Sequence, residues 1–115
     1  MSDDLIELEQ KQKIGIIAPE GEIVFENSNP LKEETKTKIK REDIENLIID
    51  LSSVSYLDSS GIGYIISIFK FMRQREGEMV ITNLNSKVKR VCELTKLNDI
   101  IGIYESVEEA KNNLK

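Results

Sequence analysis

The sequence predicts an α/β fold in one domain, with about five strands and about four helices in the order β-β-α-β-α-β-α-β-α. Three observations carry this prediction. Leu47-Ile48-Ile49-Asp50-Leu51 is a nearly continuous apolar run, as expected of a strand covered on both faces. The segment from Ser60 to Gln74 repeats its apolar residues at helical spacing. From Leu47 onward, strand-like and helix-like segments alternate, with no repeat, low-complexity tract or linker between them. At 115 residues the chain, 1–115, suits a single domain that buries most of its apolar surface without disulfides or metal.

Each element has a local reason. Leu5, Ile6 and Leu8 can form a first strand and Ile14 to Ala18 a second, ending at the turn residues Pro19 and Gly21, so the chain is expected to start with a hairpin. Ser28-Asn29-Pro30 is a helix-start signal: a polar cap supplies an acceptor, and proline at the first helical position needs no donor. A charged helix is expected from about Pro30 to Lys40. Beyond the central strand and helix, Met79 to Thr82 reads as a strand, and Ser86 can cap a helix carrying Val88, Val91, Cys92 and Thr95. Ile100, Ile101, Ile103 and Tyr104 supply a last strand. Ser106 and Glu109 stand at capping-box spacing, and Val107, Ala110 and Leu114 give the final helix one apolar side.

On a 100° wheel, Ile62, Ile65, Ile66, Phe69 and Met72 of the central helix share a face that should pack on the sheet. Tyr64, Ile68 and Phe71 form a second stripe on roughly the opposite side. That stripe is either a docking surface or a face covered by a flanking helix.

Composition removes several function classes. Against 16 basic residues stand 21 acidic ones, a net charge of −5 that disfavours nucleic acid and anionic lipid as partners. The short basic clusters Lys36, Lys38, Lys40, Arg41 and Lys87, Lys89, Arg90 read as solvated helix faces. No apolar run approaches the roughly 20 residues of a membrane span, and Met1-Ser2-Asp3-Asp4 lacks a basic signal-type start, so a soluble cytoplasmic protein is expected. Cys92 is the sole cysteine, which precludes an internal disulfide and suits a reducing compartment.

Histidine is absent, which rules out Ser-His-Asp and Cys-His nucleophile systems and His-containing zinc sites. Ser86-Lys87-Val88-Lys89 has Ser-x-x-Lys spacing but reads more simply as a cap with exposed lysines. Gly61-Ile62-Gly63 is too short for a dinucleotide or P-loop fingerprint, and Cys92 falls on the apolar side of its helix. An enzyme is therefore not expected, and neither a cofactor nor a metal is implied.

What remains is Asp58-Ser59-Ser60-Gly61, where a strand delivers two hydroxyls to the start of an apolar helix. The first N–H groups of a helix lack intrahelical partners and the macrodipole favours negative charge there, so a phosphate would be well held. The plain alternative is an Asp or Ser cap, with Gly61 permitting close strand-to-helix packing.

The run Leu57-Asp58-Ser59-Ser60-Gly61-Ile62-Gly63, with Gly21-Glu22-Ile23 as a weaker second motif, resembles the STAS-domain anti-sigma factor antagonists over about residues 5–114. The resemblance implies a small mixed sheet with helices packed against it. It also implies a switch. Ser59 would be phosphorylated by an anti-sigma factor that is itself a GHKL-type serine kinase, and dephosphorylated by a PPM-type phosphatase. Unphosphorylated, the protein would bind that kinase and release a sigma factor. Asp58, Ser59, Ser60, Gly61 and Ile62, with Tyr64 and Ile68 of the second stripe, form the expected partner-binding surface. One departure stands out: Val24 occupies a position where the family often has Asp, and Glu26 to Pro30 lengthens the loop that follows, which points to a divergent kinase or a multidomain regulator. The alternative within the same resemblance is a scaffold subunit of a stressosome-like assembly. An accessory protein of a lipid transporter ranks third, since such relatives need not keep the Ser-Ser pair.

Overall fold

Strand β3 (Asn46–Asp50) is the axis of the molecule, and its sequence shows why: Leu47, Ile48 and Ile49 are all fully buried, so both faces of the strand are covered. The computed structural model describes residues 13–114, so the expected strand at Leu5 to Leu8, and the hairpin it would make, lie outside the described residues. β1 (Ile14–Ile17), β3, β5 (Glu78–Thr82) and β6 (Gly102–Tyr104) form a four-stranded sheet in the order β1-β3-β5-β6, with every described pairing parallel. A second, two-stranded parallel sheet joins β2 (Gly21–Ile23) to β4 (Val54–Leu57). The helices are α1 (Phe25–Arg41), α2 (Ser59–Gln74), α3 (Ser86–Leu94) and α4 (Val107–Asn113), with a 3-10 turn at Leu97–Asp99.

The α/β class matches the sequence reading, and among the described residues there are four helices, as expected, and six strands, close to the about five expected. The extra strands come from β2 and β4, whose three and four residues are too short to show period-2 alternation.

Two cores lie on opposite faces of the four-stranded sheet. On one, Leu47, Ile49, Met79 and Ile81 meet Ile39 of α1, Ile65, Ile68 and Met72 of α2, and Val88 and Cys92 of α3. On the other, Ile48 and Val80 meet Ala110 of α4 and Leu114. The uninterrupted apolar run of β3 is thus the signature of serving both. No helix among the described residues is long and apolar enough to cross a membrane.

Two helix starts and one capping box differ from expectation. α1 begins at Phe25, so Pro30 lies inside the helix and residues 26–30 are its first turns rather than a lengthened loop. Asn27 makes this possible: its Oδ1 accepts the Val24 N–H at 2.9 Å and its Nδ2 donates to the Glu22 carbonyl at 2.7 Å. α3 is capped by Asn85, whose Oδ1 accepts the Val88 N–H at 2.8 Å, rather than by Ser86. At α4, Ser106 Oγ accepts the Glu109 N–H at 3.0 Å, whereas the Glu109 carboxylate reaches the Glu105 N–H, one residue before the cap.

The wheel of α2 also needs correction. At 100° per residue the two apolar stripes are not opposed but adjoin through Gly61 and Met72, and together they span an arc of about 220°. The sheet takes the middle of that arc. α1 takes the Tyr64 edge, where the Tyr64 hydroxyl and Thr35 Oγ1 share a buried hydrogen bond of 2.8 Å. Phe71 is half-buried, with Lys36 Nζ 5.3 Å and the Arg75 guanidinium 5.6 Å from its ring centroid.

Candidate functional site at the start of the central helix

β4 ends at Leu57, and Asp58 follows in extended backbone as the N-cap of α2. Its Oδ1 accepts the N–H groups of Ser60 at 2.8 Å and Gly61 at 3.1 Å, satisfying two of the helix's unpaired donors. Its Oδ2 accepts the N–H of Phe25, the first residue of α1, at 3.2 Å. One carboxylate therefore holds the starts of two helices. No other acid lies in the first turn of α2, which leaves its positive end uncompensated beyond Asp58.

Gly61 fits tightly beneath this cap. A Cβ there would collide with the Ile23 carbonyl of β2, so glycine is required for the helix to seat against the small sheet. Gly63, two residues on, differs: a Cβ there would meet nothing within 4 Å.

The expected site residues separate by exposure. Ser59, the first helical residue, is exposed, and Asp58 and Ser60 are half-buried. Gly61 is buried, as are Ile62 at 7% and Tyr64 and Ile68 at 2% or less. The docking stripe expected along Tyr64 and Ile68 is therefore not a surface, because α1 lies over it, and Gly61 and Ile62 serve packing. The sequence reading missed Phe25, which is 77% exposed at the residue tied to Asp58. An aromatic directly after Gly21-Glu22-Ile23-Val24 was the available signal, obscured by reading residues 26–30 as loop.

The titratable groups that could compete as reactive centres are subdued. Cys92 is fully buried, and burial followed by the nearby Glu93 charge pushes its thiol up to about 11. Burial also pushes the Tyr64 hydroxyl up to about 12, against the lowering effect of its Thr35 hydrogen bond. Ser86 and Lys89 are both exposed on a solvent-facing turn. Among the described residues, no three His, Cys, Asp or Glu side chains are grouped to hold a metal ion.

The family model of the STAS domain matches residues 6–110. The chain belongs to the STAS domain family. This STAS domain is 39% identical over 93 residues to the anti-sigma-B factor antagonist of Listeria monocytogenes, covering 81% of each chain. It is 28% identical over 110 residues to the anti-sigma F factor antagonist of Paenibacillus polymyxa, covering 96% of this chain and 94% of that one. Among solved structures, a Thermotoga maritima protein provisionally assigned as an anti-sigma factor antagonist superposes with a TM-score of 0.82 at 28% identity, covering 89% of this chain and 87% of that one. These relatives place the STAS domain among the anti-sigma factor antagonists, a group of regulatory proteins.

Proposed function

We propose that this STAS domain is a cytoplasmic, phosphorylation-switched antagonist of an anti-sigma factor. Ser59 is the acceptor. In its unphosphorylated state the protein binds an anti-sigma factor that is a GHKL-type serine kinase, and a sigma factor is released. Phosphorylation at Ser59 blocks that contact, and a PPM-type phosphatase reverses it. The relatives' names specify two different sigma factors, B and F, so the reading stops at the class of partner.

The observation that carries this reading is the difference between the two serines. Ser59 is exposed at the first position of α2, whereas Ser60 is half-buried with its N–H engaged by Asp58. A phosphate on Ser59 adds about −1.5 to −2 charge at neutral pH beside the unpaired N–H of the helix start, and the fold has no need to move to accommodate it. What changes is the charge met by an approaching protein.

The test is phosphosite mapping together with partner capture in the native host. Phosphate is expected on Ser59. Ser59→Ala should bind the kinase constitutively, Ser59→Asp should bind at least tenfold more weakly, and Ser60→Ala should still accept phosphate because alanine keeps the N–H that Asp58 uses. Phosphate found on Ser60 with Ser59 unmodified would overturn the assignment.

A further inference from the structure

Glycine is, after proline, the poorest helix former, and a helix keeps one in its interior at a cost in stability. Gly61 has its reason within the chain, since any side chain would strike the Ile23 carbonyl. Gly63 has none: its Cβ direction is open for 4 Å and it is exposed. A local rule broken without compensation inside the fold marks a position shaped by something outside it.

Gly63 stands one turn beyond Ser59, roughly 6 Å along the helix, on the meridian of α2 that faces away from the core. A protein that reaches Ser59 closely enough to transfer phosphate covers about 800 Å² on this side, so Gly63 falls within its footprint. We propose that Gly63 is the point where the serine kinase that modifies Ser59 lies directly against the α2 backbone. This inference rests on the Ser59 reading.

The surroundings describe the face this kinase presents. The segments 14–31 and 42–69, which build the site, contain no lysine or arginine but include Glu20, Glu22, Glu26 and Asp58. Phe25 at 77% and Tyr56 at 43% exposure add two aromatic side chains beside the cap and on the strand that delivers it. The complementary surface therefore offers an apolar contact for these rings and a close-fitting element over Gly63.

The experiment compares wild type, Gly63→Ala and Gly63→Gln, both replacements being good helix formers. Thermal melts of the purified proteins should show Gly63→Ala raised by about 2–6 °C. The rate of Ser59 phosphorylation, followed by phosphopeptide mass in a native-host lysate supplied with ATP, should fall by about fivefold or more for Gly63→Ala and further for the larger Gly63→Gln. A melt unchanged or lowered for Gly63→Ala would show that the glycine serves the fold and overturn the inference. Phosphorylation rates within twofold of wild type for both variants would overturn the contact while leaving the Ser59 switch standing. Wild type that takes no phosphate on Ser59 would remove both.

Discussion

The carboxylate of Asp58 accepts the backbone N–H of Phe25, 33 residues earlier in the chain, while capping its own helix. The first turn of α1 is thereby fastened to the first turn of α2 through one side chain. Val24, the N-cap of α1, has no side-chain acceptor of its own, so this bond supplies the Phe25 N–H with an acceptor beside the one that Asn27 gives the Val24 N–H.

Replacing Asp58 with alanine should cost more than the usual single cap, about 2–3 kcal/mol, because donors at two helix starts lose their acceptor together. Asp58→Asn keeps one acceptor oxygen and should fall between wild type and Asp58→Ala. Chemical denaturation of the three proteins checks the order, and equal losses for the two variants would refute the double role.

The Thr35–Tyr64 pair should behave as a unit. Tyr64→Phe leaves Thr35 Oγ1 without its buried partner and should destabilise by about 1–2 kcal/mol, and Thr35→Val should do the same to Tyr64. The double variant, apolar on both sides, should recover much of the loss. A double-mutant cycle in urea reads the coupling directly, and additive losses would count against it.

Tyr64 also sets an alkaline limit. Its folded pKa of about 12 lies above the ordinary value of 10, so the unfolded chain gives up this proton first. The neutral hydroxyl's contribution is complete below about pH 10 and is lost as pH rises from there toward 12. Stability against pH should fall less steeply over that range in Tyr64→Phe than in wild type, and parallel curves would exclude Tyr64 as the source.

Three helices end in non-glycine residues with left-handed backbone: Asp43 after α1, Glu76 after α2 and Lys96 after α3. Glycine is relaxed there, and the helix-ending bond uses only the backbone, as in Lys96 N–H to the Glu93 carbonyl at 3.1 Å. Lys96→Gly should therefore stabilise by about 0.5–1 kcal/mol, visible as a higher melting temperature.

What the sequence disclosed was what short-range chemistry determines. The central helix and the two-faced strand β3 are written in adjacent residues and read correctly, and Asp58 is one of the two caps that the sequence offers for that helix. α1 was misplaced because its true start rests on Asn27 and on Asp58, the latter far away in the chain, while Pro30 gave a strong but misleading local signal. β2 and β4 were missed because their evidence is their mutual pairing rather than their composition. The Tyr64 and Ile68 stripe was left open because a wheel shows which side of a helix is apolar, not which neighbour lies there. The neighbour is α1, whose buried residues are only Thr35 and Ile39 within an otherwise charged sequence, so its own pattern barely announces a packing face.

The two segments that build the site hold no lysine or arginine, and along the helices the nearest bases are Lys32 and Lys70, roughly 10 Å beyond Phe25 and 16 Å beyond Ser59. Negative charge placed on Ser59 thus meets no neutralising side chain from these segments, and mobile ions set the reach of its field. At physiological ionic strength that reach is about 8 Å, and at 1 M salt about 3 Å. The surface is built so that added charge is felt strongly at contact and hardly at all from a distance.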